Sequence, residues 1–207
     1  KIMISKKKQI VEYFESGIKE IKNFKIGIEH EKFLFDNKSD KRIDYHKVKK
    51  MFAALSEFGW QPLFEGGNII GLNKSDKNIT LEPGNQIELS GEKLNNIHEA
   101  CAESQDYLFE LRQVTKKLGI NIVSAGFDPI SKSDEIPNNP KQRYKLMNKS
   151  MPLGGELSLD MMYRTCGTQL NIDYSSEDDF VKKFKIINSI VPISIALFAN
   201  SSIVEKK

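Results

Sequence analysis

Cysteine is scarce: Cys101 and Cys166 are the only two in 207 residues. They lie far apart and form no metal-ligand spacing, which excludes a disulfide-stapled scaffold. Two distant thiols in a chain of this length read as reduced and cytoplasmic, and the spacing leaves a single bridge between them open. Long apolar runs are missing as well. The longest, 190–199, falls short of the roughly 20 residues of a membrane span and contains Pro192. No secretory leader is visible, and a chain that starts at Lys1 leaves its true start open. Excess charge of one sign is absent: 31 Lys+Arg against 28 Asp+Glu leaves +3, evenly spread. That gives no footprint for nucleic acid or a membrane surface. The run Lys6-Lys7-Lys8 reads as a solvated helix start or a terminus. There is no internal repeat and no low-complexity segment. Gly66-Gly67, Gly84 and Gly154-Gly155 are turn glycines, and none makes a P-loop or a GxGxxG pattern. No Ser/His/Asp or Cys/His arrangement stands out.

What is present fits a globular protein, with 39% hydrophobic and 29% charged residues. The length allows one large domain or two small ones, and a single domain over 1–207 is expected. Residues 7–21 carry apolar residues at helical spacing, weakened by Gly17. Residues 25–35 read as a strand ended by Asp36-Asn37. Asp44 can cap a helix over 45–58 that Gly59 closes. Short β-like pieces follow at 60–65, 68–74, 78–82 and 86–89, with a hairpin turn at 75–78. Their closeness predicts an antiparallel meander rather than βαβ units. The longest helical pattern, 93–118, ends at Gly119 and takes Cys101 and His98 as structural residues. A strand over 121–128, a loop over 131–142, a short helix over 143–149, a loop over 151–158 and a polar strand over 164–174 come next. Ser175 or Ser176 then starts a helix through the apolar 186–199 region. The class is α+β, an antiparallel sheet with flanking helices.

The polar content of three strands carries the chemistry. In GIEHEKFLF (27–35), Glu29 and Glu31 share one face of a strand roughly 7 Å apart, and His30 points the other way. In ITLEPGNQIELSG (79–91), Glu82, Gln86 and Glu88 stand where core is expected. In RTCGTQLNID (164–173), Gln169, Asn171 and Asp173 share a parity. Together they describe a sheet face rich in carboxylates and amides. Such a face suits Mg²⁺, which takes oxygen ligands and keeps waters and substrate phosphates in its shell. Arg143 and Arg164 add forks for phosphate or carboxylate, so the set points to phosphoryl transfer. The bland alternative is the ordinary wet face of an antiparallel sheet.

The strings GIEHEKFLF, EGGNIIGL, ITLEPGNQIELSG, HEACAE, RYKLMNKSMP, LDMMYRTCGTQLNIDYSSE and PISIALFANS occur in this order. From about 25 to 200, the chain resembles the N-terminal part of glutamate–cysteine ligases of the type shared by plants and alphaproteobacteria. The resemblance implies ATP-dependent ligation of the glutamate γ-carboxylate to the cysteine amine through γ-glutamyl phosphate, the first step of glutathione biosynthesis. It implies part of a glutamine synthetase-like catalytic fold, with Mg²⁺ as cofactor and glutamate, cysteine and ATP as small-molecule partners. By resemblance, Glu29, Glu31 and Glu88 are metal ligands, with Glu82 as a fourth. Gln169 and Asn171 line the nucleotide. Arg143, Tyr144, Met162, Arg164 and Thr165 wall the amino-acid sites, and Arg143 and Arg164 also act in catalysis. Cys166 lies in that wall. Family members run to well over twice this length, so the chain is expected to be an N-terminal portion whose exposed edges can pair it into a homodimer. Gln142 stands where the family carries glycine. Two alternatives remain: another carboxylate–amine ligase of the same superfamily, and an inactive fragment.

Overall fold

Alternating apolar residues build the sheet, and turn glycines fold it back on itself. The computed structural model describes residues 4–207. It contains β1 (Ile26–Asp36), β2 (Gln61–Glu65), β3 (Asn68–Lys74), β4 (Lys77–Glu82), β5 (Gln86–Ser90), β6 (Ile120–Val123) and β7 (Thr168–Ile172). All pair antiparallel in a seven-stranded sheet of order β2-β3-β4-β5-β1-β6, with β7 also on β1. The helices are α1 (Lys7–Glu15), α2 (Tyr45–Leu55), α3 (Ile97–Leu118), α4 (Gln142–Ser150), α5 (Ser158–Arg164) and α6 (Glu177–Leu197). This is the expected α+β class with its antiparallel meander. At the β4–β5 turn Gly84 has φ +65, and a Cβ there would meet Ile136 at 2.6 Å, so only glycine fits.

One face of the sheet is sealed. Leu34, Leu72, Ile79, Leu81, Ile87 and Leu89 interlock with Val48, Met51, Phe52 and Leu55 of α2 and Tyr107, Leu111 and Val114 of α3. Helix α2 starts where Asp44 accepts from the Lys47 amide, and α3 starts where Asn96 accepts from His98 and Glu99. Gly59 and Gly119 follow in the left-handed conformation, as their positions predicted.

Several boundaries move. Helix α3 begins at Ile97 instead of residue 93, because Leu94 is drawn into a bridge with Ile26. Its buried stripe is Ala100, Glu103, Tyr107, Leu111 and Val114, which turns Cys101 outward. Cys101 is therefore exposed, not packed inside the helix, and both cysteines are free thiols. Strand β6 stops at Val123, and the chain continues to a single bridge between Phe127 and Thr165. The segment 158–164, which runs from the end of the expected loop to the start of the expected strand, forms α5, and the polar strand starts only at Thr168.

Strand β1 organises the rest. Its residues Glu29–Lys32 pair with β5 on one side. On the other side Ile26–His30 pair with β7, and Phe33–Asp36 pair with β6. The outer edge of β1 thus changes partner between His30 and Phe33. Past that point Phe33, Phe35 and Cys166 form a second small core. Beside it Arg42 and Asp128 pair at 3.0 Å with both side chains fully buried. The same guanidinium donates to the Gly84 carbonyl at 2.6 Å and the Tyr163 carbonyl at 3.4 Å, and lies 4.7 Å from the Phe33 ring centre.

Candidate active site

The register places the predicted carboxylates together. Glu31 stands opposite Glu88, Glu88 opposite Thr80, and Glu82 opposite Gln86. Glu29 stands between Ser90 on β5 and Gln169 on β7. Residues directly opposite share a face with Cβ atoms about 5 Å apart, so these groups occupy one patch. It is the face turned away from α2 and α3.

Three of the four carboxylates have no cation. Among the described residues, no Lys, Arg or His nitrogen comes within 4.0 Å of Glu29, Glu31 or Glu88. Glu29 Oε1 accepts from Asn171 Nδ2 at 3.0 Å, and Asn171 Oδ1 accepts from Gln169 Nε2 at 3.0 Å. Glu31 Oε2 accepts from the Gly167 amide at 2.5 Å, and Glu88 Oε1 accepts from Ser90 Oγ at 3.0 Å. Burial pushes the Glu31 and Glu88 carboxyls above the usual carboxylate range, and the neighbouring carboxylates Glu82 and Glu29 push the same way on both. The strands bring like charges together and supply nothing to balance them.

Glu82 is different. Its Oε2 accepts from Tyr144 Oη at 2.6 Å and lies 3.6 Å from the Arg143 guanidinium, while its Oε1 lies 3.6 Å from Lys141 Nζ. Thr80 and Asn139 add bonds to its side chain and carbonyl. Arg143 also stacks on the Tyr144 ring at 4.9 Å. Glu82 thus ties α4 to the end of β4, and its charge is already offset.

The remaining predicted wall residues separate. Met162 packs with Ile136 and Tyr163 in a third small core. Thr165 is exposed and donates to the Met161 carbonyl. Arg164 ends α5 and is not on a strand; its guanidinium is buried against Asp160 at 2.8 Å and Glu205 at 3.3 Å, over the Phe127 ring. The guanidinium is buried, yet its Nε and Nη2 make no hydrogen bond among the described residues, so part of the fork's donor capacity is unused. Arg143, with its side chain 65% exposed, is the arginine open at the patch. Sequence reasoning missed Lys141, Asn139 and Lys32. Lys141 sits in a segment read as plain loop, yet its ammonium crosses to the Leu81 carbonyl, a contact over 60 residues that no local pattern announces. Lys32 sits inside GIEHEKFLF, and its charge within a strand bound for burial was the available signal.

The donor set can be tested against a divalent ion. All donors are oxygens, as a hard cation requires. No three acidic or His/Cys side chains among the described residues come close enough to enclose an ion by themselves. The patch therefore fits a Mg²⁺ held by one or two carboxylates and completed by phosphate and water, and does not fit an all-protein cage.

Comparison with known proteins gives the family. The family model for glutamate-cysteine ligase family 2 (GCS2) matches residues 25–206. The chain is 42% identical over 202 residues to the chloroplastic glutamate–cysteine ligase of Medicago truncatula, covering 97% of this chain and 40% of the relative. It is 42% identical over 202 residues to that of Nicotiana tabacum and 40% identical over 202 residues to that of Arabidopsis thaliana, each covering 97% of this chain and 39% of the relative. The chain thus spans about two fifths of the length of these curated relatives.

Proposed function

This chain belongs to glutamate-cysteine ligase family 2, and from that premise we propose that the whole protein joins the γ-carboxylate of glutamate to the amine of cysteine at the expense of ATP. The observation that carries the reading is the patch of Glu29, Glu31 and Glu88, three half-buried carboxylates on one sheet face with no protein cation to balance them. A ligand that brings positive charge together with phosphate completes such a face.

In this reading Mg²⁺ would be held by one or two of Glu29, Glu31 and Glu88, with Glu82 at the rim, and phosphate and water would complete its shell. The metal, when bound, offsets charge on phosphate oxygens as it moves during transfer. The chain's own residues do the placing. The Gly167 amide, Ser90 hydroxyl and Asn171 amide each donate to one carboxylate and so aim its other oxygen. The amide relay Gln169–Asn171–Glu29 offers donors and acceptors along β7 for the nucleotide. Glu82 and Tyr144 fix α4 so that Arg143 stands at the patch as a fork for a substrate carboxylate. Met162 supports that wall from behind. Arg164 keeps the end of α5 in place and acts through position. The proposed compartment is the cytoplasm, for which the two free thiols are the support. A second copy pairing along the free edge of β7 is the proposed homodimer.

The test is mass-spectrometric detection of γ-glutamylcysteine from glutamate, cysteine, Mg²⁺ and ATP. This chain, the full-length protein and their Glu29→Ala/Glu31→Ala forms are compared. Product from the full-length protein that the double substitution abolishes is the expected result. Product that survives the double substitution overturns the metal assignment. Product with ammonia and none with cysteine favours another amine ligase.

A further inference from the structure

Helix α6 is well formed and almost bare. Ser176 caps its start, Lys183 donates to the Asp173 carbonyl at 2.8 Å, and Asn200, just past its end, donates to the Ser124 carbonyl at 3.1 Å. Between these moorings none of its residues is buried.

Its sequence is that of a covered helix. No charged residue occurs from 186 to 198. Ile186, Ile190, Ile193 and Leu197 form one row at spacings of three and four. Phe184, Ile187, Val191 and Ile195 form a second. At about 100° per residue, the two rows lie roughly 130° apart around the axis. All eight residues are between 43% and 73% exposed. A surface helix carries one apolar stripe, whereas a helix apolar on several sides belongs in an interior.

Three kinds of cover differ in what they can reach. A bilayer does not fit. No helix among the described residues is long and apolar enough to cross one, and a helix lying in the interface keeps one face polar. A second copy fits badly, because a two-fold contact sets one patch against itself. It would cover one row and leave the other in water. More of the same polypeptide has no such restriction. The chain matches 40% of the Medicago truncatula relative and 39% of two others, so about three fifths of their length lies outside the match.

We propose that α6 is an interior helix of the whole protein, with the part of the polypeptide outside this chain packed on both of its apolar rows. That part must supply two apolar surfaces, one for each row. The inference rests on the family match and the length of the relatives, and is independent of the ligase chemistry.

The test reads each row separately in the full-length protein. Phe184→Cys and Ile193→Cys are made one at a time with Cys101→Ser, and each is labelled with a maleimide. In the native full-length protein both should react about 100-fold or more slowly than after unfolding in urea, as side chains reached only through local opening do. The protection should not change on dilution. In this chain alone both should react nearly as fast as when unfolded. Hydroxyl-radical footprinting of Phe184 and Ile193 in the unsubstituted full-length protein gives the same readout and needs no variant to fold. Free reaction of either row in the full-length protein overturns the proposal. So does protection that is lost on dilution, which assigns the cover to a second copy. The two readings fail separately. Protection of both rows in a full-length protein that makes no γ-glutamylcysteine sinks the ligase and leaves the interior helix standing. Product from a protein whose rows react freely does the reverse.

Discussion

Leu89 and Leu170 occupy matching places. Each projects from the same face of the sheet, one strand away from β1, Leu89 opposite His30 and Leu170 opposite Ile28. Leu89 is fully buried beneath α2 and α3, whereas Leu170 is 62% exposed. The contrast extends to their surroundings. The meander β2–β5 with its two helices holds the main core, while every residue of β7 is exposed and α6 buries none. Yet α6 is rich in Phe, Ile and Val, and Phe184, Ile193 and Ile195 are all more than half exposed. Alternation and helical spacing tell which face of an element is to be covered; they do not tell what covers it.

The first way to break this comparison is a pair of truncations. Leu89→Ala should cost about 2–5 kcal/mol in urea unfolding, while Leu170→Ala should stay within about 0.5 kcal/mol. Equal losses would mean that β7 is covered in solution. The next effect is smaller and has a sign. Glu31 and Glu88 hold their protons to higher pH when folded than their ordinary value of 4.5. Their contribution to stability is therefore full below pH 4.5 and is lost as pH rises through the folded values. Without Mg²⁺, Glu88→Gln should raise the melting temperature at pH 7 and leave it unchanged at pH 4, and the gain should shrink when Mg²⁺ and ATP are added. A variant no more stable than the parent at pH 7 would refute the crowding of charge. Third, Phe184→Glu on α6 should leave the melting temperature nearly unchanged but lower self-association in sedimentation velocity. The smallest test concerns the thiols. Exposed Cys101 should react with iodoacetamide at pH 8 well before Cys166, whose thiol burial and the nearby Glu31 push up to about 12.

Local chemistry was legible wherever one segment decided its own structure. The Asp44 cap, a serine cap at 175 or 176 that the structure places at Ser176, the glycines at 59 and 119, the meander and the common face of Glu29 and Glu31 all follow from spacing. Burial of the apolar alternates puts Glu31 and Glu88 on one face, but that they stand directly opposite each other is fixed only by the strand pairing. What stayed hidden depends on partners distant in sequence. Helix α5 went without an element of its own in the sequence, because Gly154-Gly155 precede it and its polar flanks mask Met162 and Tyr163, which pack on Ile136. Arg164 looked like the start of a strand because nothing local announces its burial at the end of α5 beside Asp160 and Glu205. Cys101 looked buried because its helical stripe is apolar, yet Glu103 takes the inward turn to accept from the Glu92 amide at 2.8 Å.

The buried Arg42–Asp128 pair has a consequence in time. Its guanidinium gathers oxygens from residues 84, 128 and 163, closing loops of 42, 86 and 121 residues. Such a charge leaves water only when all its acceptors are in place, and long loops are the slowest to close. The β2–β5 meander with α2 needs none of these contacts and can assemble while Arg42 is still hydrated. The wall carrying α4 and α5 then locks onto a finished sheet. Arg42→Met should accordingly speed unfolding far more than it slows folding, so the patch of carboxylates stands finished before the wall that flanks it.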